Sequence, residues 1–218
     1  MLTWWWHQPL EVKIAGQCAP VLAGVKPSNM LVLENKHIRD VVRTLEGTGL
    51  SWRCLYAGSE KNIWLLYRKE ALKKYVFQEE ERMFLRENGY EEERLEQMLV
   101  RLGQRFRQYR RGKEAAQALC AACPPDVCMS TDCSQQEISF PHEMGVFLGY
   151  PMADVKGFIK YEGKNYLYSG YWKVYENVEE RKQLFESYEQ IRNVFIQEAE
   201  KGKNLWEITS EWQCITAC

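Results

Sequence analysis

The 218-residue sequence has no apolar run approaching the roughly 18–20 residues that a membrane-spanning helix requires. Its opening, MLTWWWHQPLEV, lacks a basic segment, a long apolar segment and a small-residue cleavage site, so it does not read as a secretory signal. It has almost no net charge: 29 basic and 30 acidic side chains leave −1. That removes the general electrostatic ground for nucleic-acid or membrane-surface binding. Histidine is scarce, with three in the chain. The motifs G-x-S-x-G, H-E-x-x-H and G-x-x-x-x-G-K-[ST] are absent. His142-Glu143 opens like a zinc-protease motif, but Val146 stands where the second histidine belongs. There is no internal repeat, low-complexity tract or Gly-rich phosphate loop. These absences predict a cytoplasmic protein. There the eight cysteines are expected to be reduced thiols or metal ligands rather than structural disulfides.

What is present is an ordinary globular composition, 45% hydrophobic and 27% charged. The length predicts a single domain over 1–218, large enough to bury a core. In chain order, the tryptophan run Trp4–Trp6 is followed by a short helix over 9–17. The segment 18–29, carrying Pro20, Gly24 and Pro27, reads as a loop. A buried strand is expected at 30–33 and a helix at 36–46. A β-hairpin over 51–57 and 62–68 follows from Trp52, Cys54 and Tyr56 alternating on one arm and the apolar run IWLLY on the other. Helices follow, among them a long one over 91–111 with a stripe from Leu95 to Tyr109. Its basic end, with Arg105, Arg107, Arg110, Arg111 and Lys113, suits a solvated helix terminus. Residues 114–139 read as an irregular Cys-containing insert. A last helix over 178–201 is expected to be capped by Asn177, with Glu180 at the capping-box position. Residues 203–218 read as a frayed tail carrying Cys214 and Cys218. The fold class is α+β: a small, mostly antiparallel or mixed sheet of about four strands with packed helices.

The stretch from Phe140 to Tyr175, FPHEMGVFLGYPMADVKGFIKYEGKNYLYSGYWKVY, is the most distinctive. Pro141 and Pro151 each suit the start of a helical segment, and Gly149 suits the position just past the end of the first. Met144, Phe147 and Leu148 share a face that reads as core. Gly145, inside that segment, points to something close against the backbone. Residues 165–175 alternate with aromatics on both sides and read as one strand covered on both faces.

The string FPHEMGVFLGYPMADVKGFI with GYWKVY resembles the signature of the bacterial domain-of-unknown-function family 3793. The upstream CAPVLAGVKPSNML, Cys18 to Leu31, resembles that family's N-terminal motif. The resemblance spans Cys18 to the helix after Tyr175 and implies a cytoplasmic protein, mostly of anaerobic bacteria. It implies no reaction and no cofactor.

Three function classes follow. The first is a small-ligand or cofactor-binding protein. Its pocket would lie between the 18–29 loop and the 140–175 unit, lined by Tyr150, Tyr171, Trp172, Lys173 and Tyr175. The second is an enzyme using His142 as base, Glu143 or Asp154 as its orienting or acid partner, and Lys26, with Cys18 as a candidate nucleophile. It requires His142 and Lys26 to converge on one cleft. The third is a metal or redox protein. Cys120, Cys123, Cys128 and Cys133 are spaced C-x2-C-x4-C-x4-C, and four thiolates suit zinc or an iron–sulfur cluster. The spacing is neither a zinc pair-of-pairs nor a ferredoxin run, and the resemblance does not cover this segment. Partners are expected to be a small molecule or a protein rather than nucleic acid.

Overall fold

The computed structural model describes residues 8–122 and 139–216, with the backbone alone over 118–122. Its centre is an antiparallel three-stranded sheet of β1 (Ser28–Glu34), β2 (Ser51–Ala57) and β3 (Lys61–Tyr67) in the order β1-β3-β2. The middle place of β3 explains its near-continuous apolar sequence. Ile63, Leu65 and Tyr67 enter one core cluster, while Leu66 and Trp64 enter or pack on the other. The fold is therefore α+β with helices on both faces of the sheet.

One face carries α1 (Leu10–Leu22) and, beyond the strands, α8 (Val178–Glu200) and α9 (Leu205–Thr216). The 3₁₀ turn Asn35–His37 and α2 (Ile38–Leu45) close that side. The other face is covered by α3 (Lys69–Val76), α4 (Glu79–Glu87) and α5 (Leu95–Ala122). Next come α6 (Met144–Phe147) and α7 (Met152–Lys160), then a hairpin of β4 (Tyr168–Ser169) and β5 (Lys173–Val174). A third aromatic cluster, centred on Trp172, Val174, Phe185 and Tyr188, joins that hairpin to α8.

Several expectations need correction. Residues 18–22 are helical, not loop, although Pro20 sits inside α1. A proline cannot donate to the carbonyl four residues back, which is that of Gly16. Arg192 of α8 supplies the missing donor, its Nε 3.1 Å from that carbonyl. At the helix end, Arg68 donates from Nε to Val21 and from Nη2 to Leu22, at 2.9 and 2.5 Å. Two distant arginines thus satisfy groups that the local sequence leaves open.

The exposed edge of the sheet has a similar substitute. The Gln17 amide accepts from Val32 N at 2.9 Å and donates to Val32 O at 3.2 Å, pairing with β1 as a neighbouring strand would.

Residues 165–175 form no single strand. Gly163, with Glu162 and Asn165 at positive φ, tightens the approach, and the chain reverses again between Ser169 and Lys173. Gly170 allows that reversal to press on α8, because a Cβ there would stand 2.3 Å from the Phe185 ring. The aromatics that suggested a two-sided strand instead serve the aromatic cluster and the wall of a pocket. Pro141 precedes α6, and His142 and Glu143 form a turn ahead of it rather than its first residues. Asn177 is left-handed, at φ 53°, and makes no side-chain cap. Residues 114–122 continue α5 instead of opening an irregular insert, and 205–216 are helical, with Leu205 and Ile208 buried. Trp4–Trp6, Cys123, Cys128, Cys133 and Cys218 lie outside the described residues.

Candidate functional site

The 140–175 unit is tied once to the sheet and once to α3. Ser28 Oγ at the start of β1 donates to the Phe147 carbonyl of α6 at 2.5 Å. Tyr75 of α3 donates from its hydroxyl to the Tyr150 carbonyl at 2.6 Å. The end of α6 closes as a Schellman motif, with Tyr150 N on Gly145 O and Gly149 N on Val146 O, both 2.9 Å, and Gly149 at φ +72°. The close neighbour expected at Gly145 is Val155 of α7, which a Cβ would meet at 2.9 Å. Two short helices can therefore pack nearly backbone to side chain.

That packing leaves a pocket of about 320 Å³. Met30 of β1, Met144 and Leu148 of α6, and Val155 and Phe158 of α7 make much of its apolar lining. Tyr150, Tyr171, Trp172 and Lys173 form another wall, and Phe140 and His142 complete it. Tyr150 and Trp172 are stacked, centroids 4.7 Å apart, and Trp172 meets Phe185 edge-on at 4.5 Å. These contacts fix the aromatic wall.

The His142 ring lies between Phe140 and Phe158, at 6.0 and 5.7 Å between centroids. Neither ring nitrogen has a hydrogen-bond partner among the described residues. Burial pulls its pKa below the ordinary histidine range, and the Glu143 charge opposes this only in part. The imidazole is thus held neutral, with one donor and one acceptor unused.

Asp154 lines the same pocket but is fully engaged. Its Oδ2 accepts from Trp172 Nε1 and its Oδ1 from Tyr175 N, both at 2.7 Å, and Arg181 Nε stands 3.9 Å away. It fastens β5 to α7. Glu143 is turned away into the core, accepting from the Tyr90 hydroxyl at 3.0 Å and paired with Arg105 Nε at 2.8 Å. That hydroxyl stays protonated, since burial and the Glu143 charge both push its pKa upward.

Lys26 does not reach the pocket. It is 4% exposed, and its ammonium lies 5.1 Å from the Tyr150 ring centroid. Burial lowers its pKa to about 8, opposed by the neighbouring Cys18. Cys18 itself lies in mid-α1, fully buried, its thiol pushed up to about 12 and directed at the Met30 carbonyl. A thiol in that state is a small apolar side chain at neutral pH. Tyr175 also lies off the pocket, stacked on Tyr161 at 5.8 Å.

Of the residues singled out from sequence, the structure gathers His142, Asp154, Tyr150, Tyr171, Trp172 and Lys173 around one cavity. Lys26, Glu143, Cys18 and Tyr175 stand around it in supporting positions. Met30, Phe140 and Phe158 were missed. The two phenylalanines lie within the distinctive stretch, but their spacing there singles out no face. Among the described residues no group of three or more His, Cys, Asp or Glu side chains is arranged to hold a metal. No helix among them is long and apolar enough to cross a membrane.

No curated protein and no solved structure matches the chain. A family model described as a protein of unknown function (DUF3793) matches residues 14–209, a span that includes both resembling motifs, the sheet and the pocket. The chain belongs to the DUF3793 family.

Proposed function

We propose that this protein binds a small planar ligand in the pocket bounded by α6, α7 and the β4–β5 hairpin. The observation that carries this reading is the concave aromatic cavity with the His142 imidazole in its wall, a ring that has no hydrogen-bond partner among the described residues. At about 320 Å³ it sits at the lower end of the roughly 300–1,000 Å³ of small-molecule sites, a size suited to one or two fused rings. The walls offer ring faces for stacking, and a few polar groups orient the guest. Asp154 and Glu143 are architectural in this reading: their oxygens already hold Trp172, Tyr175, Tyr90 and Arg105.

The test is a calorimetric titration with 2-naphthylmethanol, a neutral two-ring probe carrying one hydroxyl. One saturable site is expected. His142→Trp sets an indole where the half-buried imidazole stands and should abolish binding, with the circular dichroism unchanged. Undiminished binding by a folded His142→Trp protein would exclude this cavity as the site.

A further inference from the structure

We infer that the pocket selects a planar anion, such as an aromatic carboxylate, and that Lys173 is the residue that selects it. This rests on the ligand-binding reading above and adds the charge of the guest. Among the described residues the only carboxylate lining the cavity is Asp154. It is 3% exposed, both its oxygens accept hydrogen bonds, and Arg181 Nε stands 3.9 Å from one of them. The Lys173 ammonium is not engaged in this way: no carboxylate among the described residues lies within ion-pair distance of it. Its single hydrogen bond among the described residues is a donation to the Gly163 carbonyl at 2.6 Å. An ammonium has three N–H donors, so two remain for a guest.

The ammonium is also placed by aromatic faces. It lies 4.8 Å from the Tyr166 centroid and 5.7 Å from that of Phe158, a ring that itself lines the cavity. Ring faces hold a cation without neutralising it. The pocket therefore presents one ammonium without a carboxylate partner among the described residues, beside stacking surfaces, and His142 adds a donor and an acceptor to the same lining. A ring that stacks while its carboxylate meets Lys173 uses both features through a charge-assisted hydrogen bond. A cationic guest would face Lys173 with no free anion to receive it.

Three probes with the same ring system separate the charge from the cavity: 2-naphthoate, 2-naphthylmethanol and 2-naphthylmethylammonium, each titrated calorimetrically. The expected order has naphthoate at least tenfold tighter than the alcohol, and the ammonium probe weakest. Lys173→Met should remove the preference for naphthoate over the alcohol. Equal binding of naphthoate and alcohol by the wild type would overturn the anion inference and leave the pocket standing. A preference that survives Lys173→Met would overturn the role given to Lys173. Saturation by none of the three would overturn the pocket and the inference together.

Discussion

Asp154→Ala is expected to lower the unfolding free energy by about 3–5 kcal/mol and to abolish probe binding. The magnitude follows from two hydrogen bonds to one buried carboxylate, each worth roughly 1.5–3 kcal/mol. The loss also leaves the Trp172 indole N–H and the Tyr175 backbone N–H without partners in a buried place. The binding effect follows because Asp154 is the tie between α7 and β5. Without it, Trp172 and Lys173 lose the one buried polar tie that registers the hairpin on α7 beside Val155 and Phe158. Asp154→Asn keeps the shape and one acceptor, and should cost less. Urea unfolding of the three proteins measures the first effect and the naphthalene titrations the second. A loss below about 1 kcal/mol for Asp154→Ala would show that the hairpin is held by aromatic packing alone.

Lys26→Met is expected to act in the opposite direction, raising stability at pH 7 by about 2 kcal/mol. Burial lowers the Lys26 pKa from 10.5 to about 8. At about 1.4 kcal/mol per pH unit, the folded state gives up about 3 kcal/mol by keeping this ammonium charged. The contact with the Tyr150 ring returns roughly 1 kcal/mol of that, which methionine loses.

The sign with pH is definite. The folded state binds this proton more weakly than the unfolded chain, so wild-type stability gains from deprotonation as pH rises from about 8 towards 10.5. Cys18 works the other way above its ordinary pKa of 9, because burial raises its thiol to about 12 and the unfolded chain ionises first. The comparison between Lys26→Met and wild type, which share Cys18, separates the two. Their stability difference should shrink between pH 7 and pH 10. A Lys26→Met protein less stable than wild type at pH 7 would mean that the ammonium stabilises the fold by more than its contact with the Tyr150 ring.

Much of the sheet was legible because its signals are local. The hairpin Ser51–Ala57 and Lys61–Tyr67 follows from period-two alternation on one arm and a two-sided apolar run on the other. The errors arose where a distant residue completes a local group. Pro20 reads as a helix stop until Arg192 supplies the donor for Gly16. Asn177 reads as a cap from its type alone, but its left-handed backbone directs the side chain elsewhere. The aromatic run before Tyr175 carries no mark of its reversal except Gly170, whose need for space is visible only once Phe185 packs on it.

The site divides in the same way. His142, Tyr150, Tyr171, Trp172 and Lys173 were legible because they share one distinctive string, and short helices and turns keep neighbours in sequence close in space. Whether each ionisable group is free or engaged was not legible. Glu143 is occupied by Tyr90 and Arg105, which lie 53 and 38 residues earlier. Lys26 is kept from the cavity by the ring of Tyr150, one of the cavity's own walls. Met30 enters the lining because β1 runs beneath α6, a placement that depends on the order of the strands.

The most direct test of the central claim is to follow the imidazole signals of the folded protein by NMR during titration with 2-naphthylmethanol. The chain has three histidines, and His37 lies in a separate polar cluster with Lys13 and Glu34. The account predicts that the His142 ring signals shift progressively and saturate with the calorimetric affinity, while those of His37 stay in place. Saturable binding that leaves His142 unmoved would contradict it, placing the ligand elsewhere on the fold.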